Sequence, residues 1–173
     1  MPGIISAKKV IQQLEASKAF KDWRKKNSKS YLCHIFFLLG KDKDQCQIGY
    51  YNDAKDLITS FDVGEKVDMA STEKPFKPEG MKVNETSMND VKIDFKEAIA
   101  IVEDLQRTKY PAEKPVEIIA ILQNISGHGV VYNITHVTHS LKTLNVKVNA
   151  ENGDIMYEQL ASIIQFPGQN TQK

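Results

Sequence analysis

Two cysteines in a chain of 173 residues are too few for a disulfide framework. If Leu39 and Gln45 flank a turn at Lys41-Asp42-Lys43, Cys33 faces Tyr51 and Cys46 faces Leu38. The two thiols are then not cross-strand partners, and both are expected free and mostly buried. An excess of one charge is lacking as well: Lys+Arg 23 against Asp+Glu 22 gives a net charge of +1. A protein built to grip nucleic acid is expected to be strongly basic. The basic stretch at residues 18–29, with Trp23 as a stacking ring, is where such a function would sit. Cations at the negative end of a helix account for the same residues, so nucleic-acid binding is not expected.

Long hydrophobic runs are missing. The longest, residues 35–39, is far too short to cross a bilayer. No apolar signal core follows Met1, so the expected location is cytoplasmic, with no membrane partner. The triplets starting at Asn84, Asn124 and Asn133 fit the glycosylation pattern but carry no meaning without secretion. There is no glycine-rich phosphate loop, no nucleophile elbow and no paired-carboxylate spacing. The expectation is therefore a protein that is not an enzyme and holds no cofactor.

What the chain does contain is an ordinary globular composition, 41% hydrophobic and 26% charged, in a length that buries roughly 70% of the unfolded surface. It also contains an echo of itself. Val10, Ile11 and Leu14 lie over Ala98, Ile99 and Val102. Leu32, Ile35, Phe37 and Leu38 fall on Val116, Ile119, Ile121 and Leu122, while Cys46, Ile48 and Tyr50 fall on Val130, Tyr132 and Ile134. Internal similarity of this kind sets architecture. The domains expected are a first helix-plus-sheet repeat at 1–70, a connector at 71–90 broken by Pro75, Pro78 and Gly80, a second repeat at 91–166, and a polar tail at 167–173.

Ser6 is a good N-cap for one helix over residues 7–26, with an apolar stripe of Val10, Ile11, Leu14, Phe20 and Trp23. Tyr31–Leu39 reads as a strand that is apolar on both faces. A strand with one wet face alternates cleanly, so this one should be covered on both sides, by a helix and by the other half or a second subunit. Cys46, Ile48 and Tyr50 mark its return strand, followed by strands at residues 57–63 and 67–70. In the second half, Asp94 and Glu97 form a capping box. The stripe of Phe95, Ala98, Ile99, Val102 and Leu105 runs to a stop at Tyr110-Pro111. Strands are expected at 116–123, 130–137 and 144–150. A tight Asn152-Gly153 turn and a return at 155–157 come next, then a last apolar element around Leu160, Ile163, Ile164 and Phe166. Helices followed by antiparallel strands make an α+β fold.

The segment 146–155, Val-Lys-Val-Asn-Ala-Glu-Asn-Gly-Asp-Ile, resembles the closing signature of PepSY domains, an alternating strand ending in an Asp-Ala pair before a Thr-Gly turn. Asn149 and Asn152 stand where that family has Asp and Thr. The resemblance covers about residues 91–157, with a fainter echo at 61–67. It implies two tandem curled sheets, each packed on a helix in the cystatin-like manner, as a pseudo-symmetric duplicate. It also implies binding or inhibition, typically of peptidases or other partners, and lends no catalytic residue.

Among chemical candidates, His136 and His139 are the nearest to a metal pair, with His128 as a third imidazole. Zinc needs ligands converging on one point, and residues three apart on a strand face opposite ways, so no metal is expected. Cys33 and His34, adjacent on a strand, should likewise face apart. The function expected is non-catalytic binding of a protein partner or of a second copy, through Leu32, His34, Phe36, Leu38, Tyr50 and Tyr51. The alternative is a small-molecule-binding cone, with or without enzymatic activity, with Tyr50, Tyr132, His34 and His136 lining an apolar pocket.

Overall fold

The structure is a computed structural model that describes residues 6–164 except 41 and 43. Phe166 and the 167–173 tail lie outside the described residues. The first elements of the described residues are two short helices, α1 (Ala7–Ala16) and α2 (Lys18–Lys26). The single helix expected over residues 7–26 is broken at Ser17, whose side chain accepts from Phe20 N and whose hydroxyl donates to Leu14 O. Ser17 thus caps both pieces, and its extended backbone (φ −73°, ψ 147°) matches that of the Ser6 cap (φ −63°, ψ 149°). Four strands follow: β1 (Tyr31–Leu39), β2 (Gln45–Asn52), β3 (Leu57–Val63) and β4 (Val67–Glu73). After a connector with a single 3-10 turn come α3 (Phe95–Lys109), β5 (Pro115–Ile125), β6 (Gly129–Thr138), β7 (Lys142–Asn149) and β8 (Ile155–Ser162). One strand, β8, takes in both the return expected at 155–157 and Leu160 of the element expected after it, while Ile163 and Ile164 follow the strand's end.

All eight strands form one antiparallel sheet in the order β4-β3-β2-β1-β5-β6-β7-β8. The protein is therefore α+β, with both four-strand meanders meeting at the β1–β5 seam, where His34 pairs with Gln123 and Leu39 with Ile118. One face of the sheet carries the helices. Its core gathers Val10 and Leu14 from α1, Phe20 from α2 and Phe95, Ile99 and Val102 from α3 around Ile35, Phe37, Ile48, Phe61, Leu122, Tyr132, Ile134 and Val146. Phe95 sits over the seam, its ring 4.1 Å from Phe37 and 4.7 Å from Tyr132. Trp23 packs edge-on against Phe61 at 5.2 Å and beside Tyr50 at 5.6 Å, so its ring belongs to this cluster.

The capping box forms as expected, with Asp94 N donating to Glu97 Oε2 and Phe95 N to Asp94 Oδ1. The Asn152-Gly153 turn forms too. Asn149 Oδ1 accepts from Glu151 N and Asn152 N, which is the task a carboxylate would perform there. Gly153 has φ +81°, and a Cβ there would lie 3.1 Å from Ile101 of α3, so a positive φ and a close approach both require glycine.

Candidate functional site

The first strand decides which side chains reach the surface. Leu32 pairs with Tyr50 but His34 pairs with Gly49, so Cys33 is an extra residue in β1, a β-bulge. The bulge reverses the alternation. Leu32 joins Ile35 and Phe37 under the helices, while His34, Phe36 and Leu38 face away from them. The expected register is also one residue off: Phe37, not Leu38, is opposite Cys46. The thiols are free, as expected.

Of the six side chains assigned to an interaction surface, two lie elsewhere. Leu32 and Tyr50 are core residues, 9% and 4% exposed. Tyr51 is buried at one end of the helix-free face, its ring 5.6 Å from Tyr31 and its hydroxyl donating to Asp56 at 2.7 Å. His34, Phe36 and Leu38 are half-buried on that face. The sequence superposition also pairs strand faces wrongly in one place. Ile119 and Ile121 were laid over Ile35 and Phe37, yet their ladder partners Leu38 and Phe36 place them on the helix-free side. There they are half-buried beside Phe36 and Leu38, and strict alternation of β5 could have found them. By contrast Ile48 and Tyr132, laid over each other in the second strand of each half, both face the core.

The helix-free face therefore has an apolar centre of Phe36, Leu38, Ile119 and Ile121 at the seam. A polar frame surrounds it. On the β2–β3 side, Gln47 Nε2 donates to Asp62 at 3.0 Å. On the β6–β8 side, Asn145 Nδ2 donates to Asn133 Oδ1 and Thr135 Oγ1 at 2.8 Å each, and the Lys147 ammonium lies 3.9 Å above the Tyr157 ring. At one end the connector ties down the splayed strands. Thr86 N donates to Leu32 O, its hydroxyl donates to Cys33 O, and it accepts from Asn124 N. Tyr31 Oη donates to Val83 O.

Cys33 and His34 do meet, contrary to expectation, because the bulge turns both toward Gly49. The thiol is 3.4 Å from His34 Nδ1 and 3.3 Å from Gly49 O, to which it donates. Burial pushes the Cys33 thiol up to about 12 and the His34 imidazole below its ordinary value. Both effects favour the neutral pair, whereas a reactive cysteine needs an electropositive, accessible setting that favours thiolate.

The three remaining histidines do not converge. His136 lies fully buried on the helix side of β6, where neither ring nitrogen has a hydrogen-bond partner among the described residues. His139 is exposed in the β6–β7 turn, with Nδ1 3.3 Å from Lys114 O, and His128 belongs to the β5–β6 turn at the other end of the strand. Among the described residues, no three His, Cys, Asp or Glu side chains are placed to share a metal ion. The side chains assigned to a ligand-lined cone do not share a space. Tyr50, Tyr132 and His136 are packed under the helices, Tyr132 donating to Ile93 O at 2.7 Å, and His34 is on the opposite face. Among the described residues, no helix is long and apolar enough to cross a membrane.

No protein-family model and no curated protein matches the chain. Among solved structures, the chain is similar to a protein from Clostridium difficile 630 described as a "putative lipoprotein", with a TM-score of 0.55 and 13% sequence identity. The match spans 82% of this chain and 90% of that one. At that identity the likeness is one of fold.

Proposed function

We propose that the protein is a non-catalytic binding module that recognises a protein partner through the helix-free face of its sheet. The observation that supports this is the apolar centre at the seam. Phe36, Leu38, Ile119 and Ile121 are half-buried on the face that, among the described residues, no helix covers. Of the surrounding polar groups, Gln47 is already engaged by Asp62, and Asn133, Thr135, Asn145 and Lys147 by one another. An apolar centre inside a polar rim is the anatomy of a protein interface. The neutral pair of buried Cys33 and half-buried His34 supports the non-catalytic part of the reading.

The internal duplication belongs to the same proposal. A helical segment, split into α1 and α2 in the first half and continuous as α3 in the second, precedes a four-strand meander in each, and the strand order reads outward from the seam alike in both directions. We read the halves as two PepSY-like, cystatin-like units fused edge to edge. On that reading the helix-free face is a surface neither unit has alone, since Phe36 comes from one and Ile121 from the other. A peptidase is the partner class that the PepSY resemblance implies.

The test is a displayed peptide library selected on the wild-type chain and counter-screened on a Phe36→Lys, Ile121→Lys double variant. Binders are expected to lose at least about tenfold in affinity on the variant, the scale of a lost hot spot. Enriched binders that ignore both changes would overturn the assignment of the face.

A further inference from the structure

The two ends of the sheet are guarded very differently. Edge strands offer unpaired main-chain groups, and proteins commonly blunt them with charge, proline and bulges. The β4 edge follows that practice. It carries Asp68 and Glu73, breaks register opposite Ser60 and Phe61, and is followed by Pro75. The β8 edge does not. Its one irregularity is at the start, by Ile155, and from Tyr157 to Ser162 it pairs with β7 residue for residue. Its single charge, Glu158, is already held by the Lys109 ammonium and by Tyr110 Oη, which donates at 3.3 Å.

The phase of the ladder follows from one bond. Ile163 N donates to Leu141 O at 2.9 Å, and in an antiparallel strand alternate residues turn their main chain to the same side. Tyr157, Gln159 and Ala161 thus face β7, and Glu158, Leu160 and Ser162 hold their N–H and C=O groups outward. β8 is last in the strand order, so among the described residues no strand receives them. Only another extended main chain can match that alternation of donors and acceptors.

We propose that the occupant is a second copy of this chain, joined antiparallel through β8 with Leu160 on the two-fold axis, so that one sheet runs from β4 of one copy to β4 of the other. The sequence of β8 is self-complementary in this register. Leu160 meets its own counterpart, Glu158 lies opposite the partner's Ser162, Gln159 opposite the partner's Ala161, and Tyr157 opposite the partner's Ile163. Moving the axis to Glu158 would set two carboxylates against each other, which is destabilising. The chosen register brings together side chains that a lone copy leaves open: Tyr157 at 37%, Met156 at 39%, Ile164 at 47% and Ile163 at 50% exposure. With a net charge of only +1, two copies approach without strong repulsion. The proposal rests on the edge and is independent of the reading of the helix-free face.

Sedimentation of the full chain from low to high micromolar concentration is expected to show a monomer–dimer equilibrium. Ser162→Pro removes an outward N–H while leaving the β7 ladder intact, and should raise the dimer dissociation constant at least about tenfold. The register has its own readout. Mild oxidation of mixed Gln159→Cys and Ala161→Cys proteins should yield the mixed disulfide dimer, whereas neither variant alone should. A wild-type chain that stays monomeric throughout, a Ser162→Pro dimer of unchanged affinity, or efficient cross-linking of Gln159→Cys with itself would each overturn the proposal. None of these outcomes would alter the result expected of the Phe36→Lys, Ile121→Lys variant, so the two readings fail separately.

Discussion

Protonating His136 in place would put a cation among Leu144, Ile118 and the other side chains that β6 buries beneath α3. Among the described residues no polar neighbour accepts from or donates to the ring, and burial pulls its pKa from 6.5 down to about 4. The unfolded chain therefore takes up a proton first as pH falls. This contribution to stability is complete above pH 6.5, declines between pH 6.5 and 4, and amounts to a loss of about 3 kcal/mol below that window. His136→Leu is expected to flatten the acid side of the stability profile and raise the urea midpoint at pH 5 more than at pH 7. A variant whose profile keeps the wild-type slope would contradict this. A second residue-level dependence joins Gly49 to His34. A Cβ on Gly49 would fall 2.2 Å from His34 Cε1, so Gly49→Ala should cost about 1–3 kcal/mol. In a His34→Ala background the same change should cost little, and denaturation of the four proteins of the cycle measures the coupling. Neither contact was legible in the sequence. A bulge at Cys33 has no signature in composition, and alternation alone sets Cys33 and His34 apart.

At the scale of elements, the periodic patterns located α3, its capping box and the cores of β1, β2 and β3 closely. They failed where a local feature interrupts the period. The stripe over residues 7–26 drifts between Leu14 and Phe20, and that drift is the trace of the Ser17 break. A serine with a good helix start after it was the signal to read. The β6–β7 turn holds another local feature. Leu141 has φ +59° and is 52% exposed, a conformation that costs a side chain roughly 1–2 kcal/mol. The turn is held by Lys142 Nζ on Glu113 at 2.6 Å and by the Thr138 hydroxyl, which donates to Lys142 O at 3.1 Å. Leu141→Gly relieves the strain but frees the unfolded backbone, so a net gain of about 1 kcal/mol in chemical denaturation is expected. An unchanged or lower midpoint would show that the turn is relaxed as it stands.

For the whole molecule, the decisive contact is the β1–β5 seam, and strand periodicity does not encode which strands become neighbours. The strands of each four-strand meander were readable one by one; the union of all eight into one sheet was not, because it depends on pairing between residues about ninety positions apart, such as His34 with Gln123. The candidate surface was legible in part for the same reason. An excess of apolar residues on β1 pointed to a face needing cover, and His34, Phe36 and Leu38 are on it. The other half of the apolar centre, Ile119 and Ile121, becomes visible only when β5 is set beside β1. Leu32 and Tyr50 were assigned to the surface because the bulge that turns Leu32 inward was not foreseen, and because α2 covers Tyr50 with Phe20 at 5.1 Å.

The most direct measurement is an isoleucine methyl NMR titration of the wild-type chain with a peptide selected from the displayed library. The account predicts that Ile119 and Ile121 shift together, while Ile99 and Ile101 on α3 and Ile163 beyond the β8 edge stay in place. Shifts confined to the helix isoleucines, or to Ile163, would contradict a binding module that works through the helix-free face.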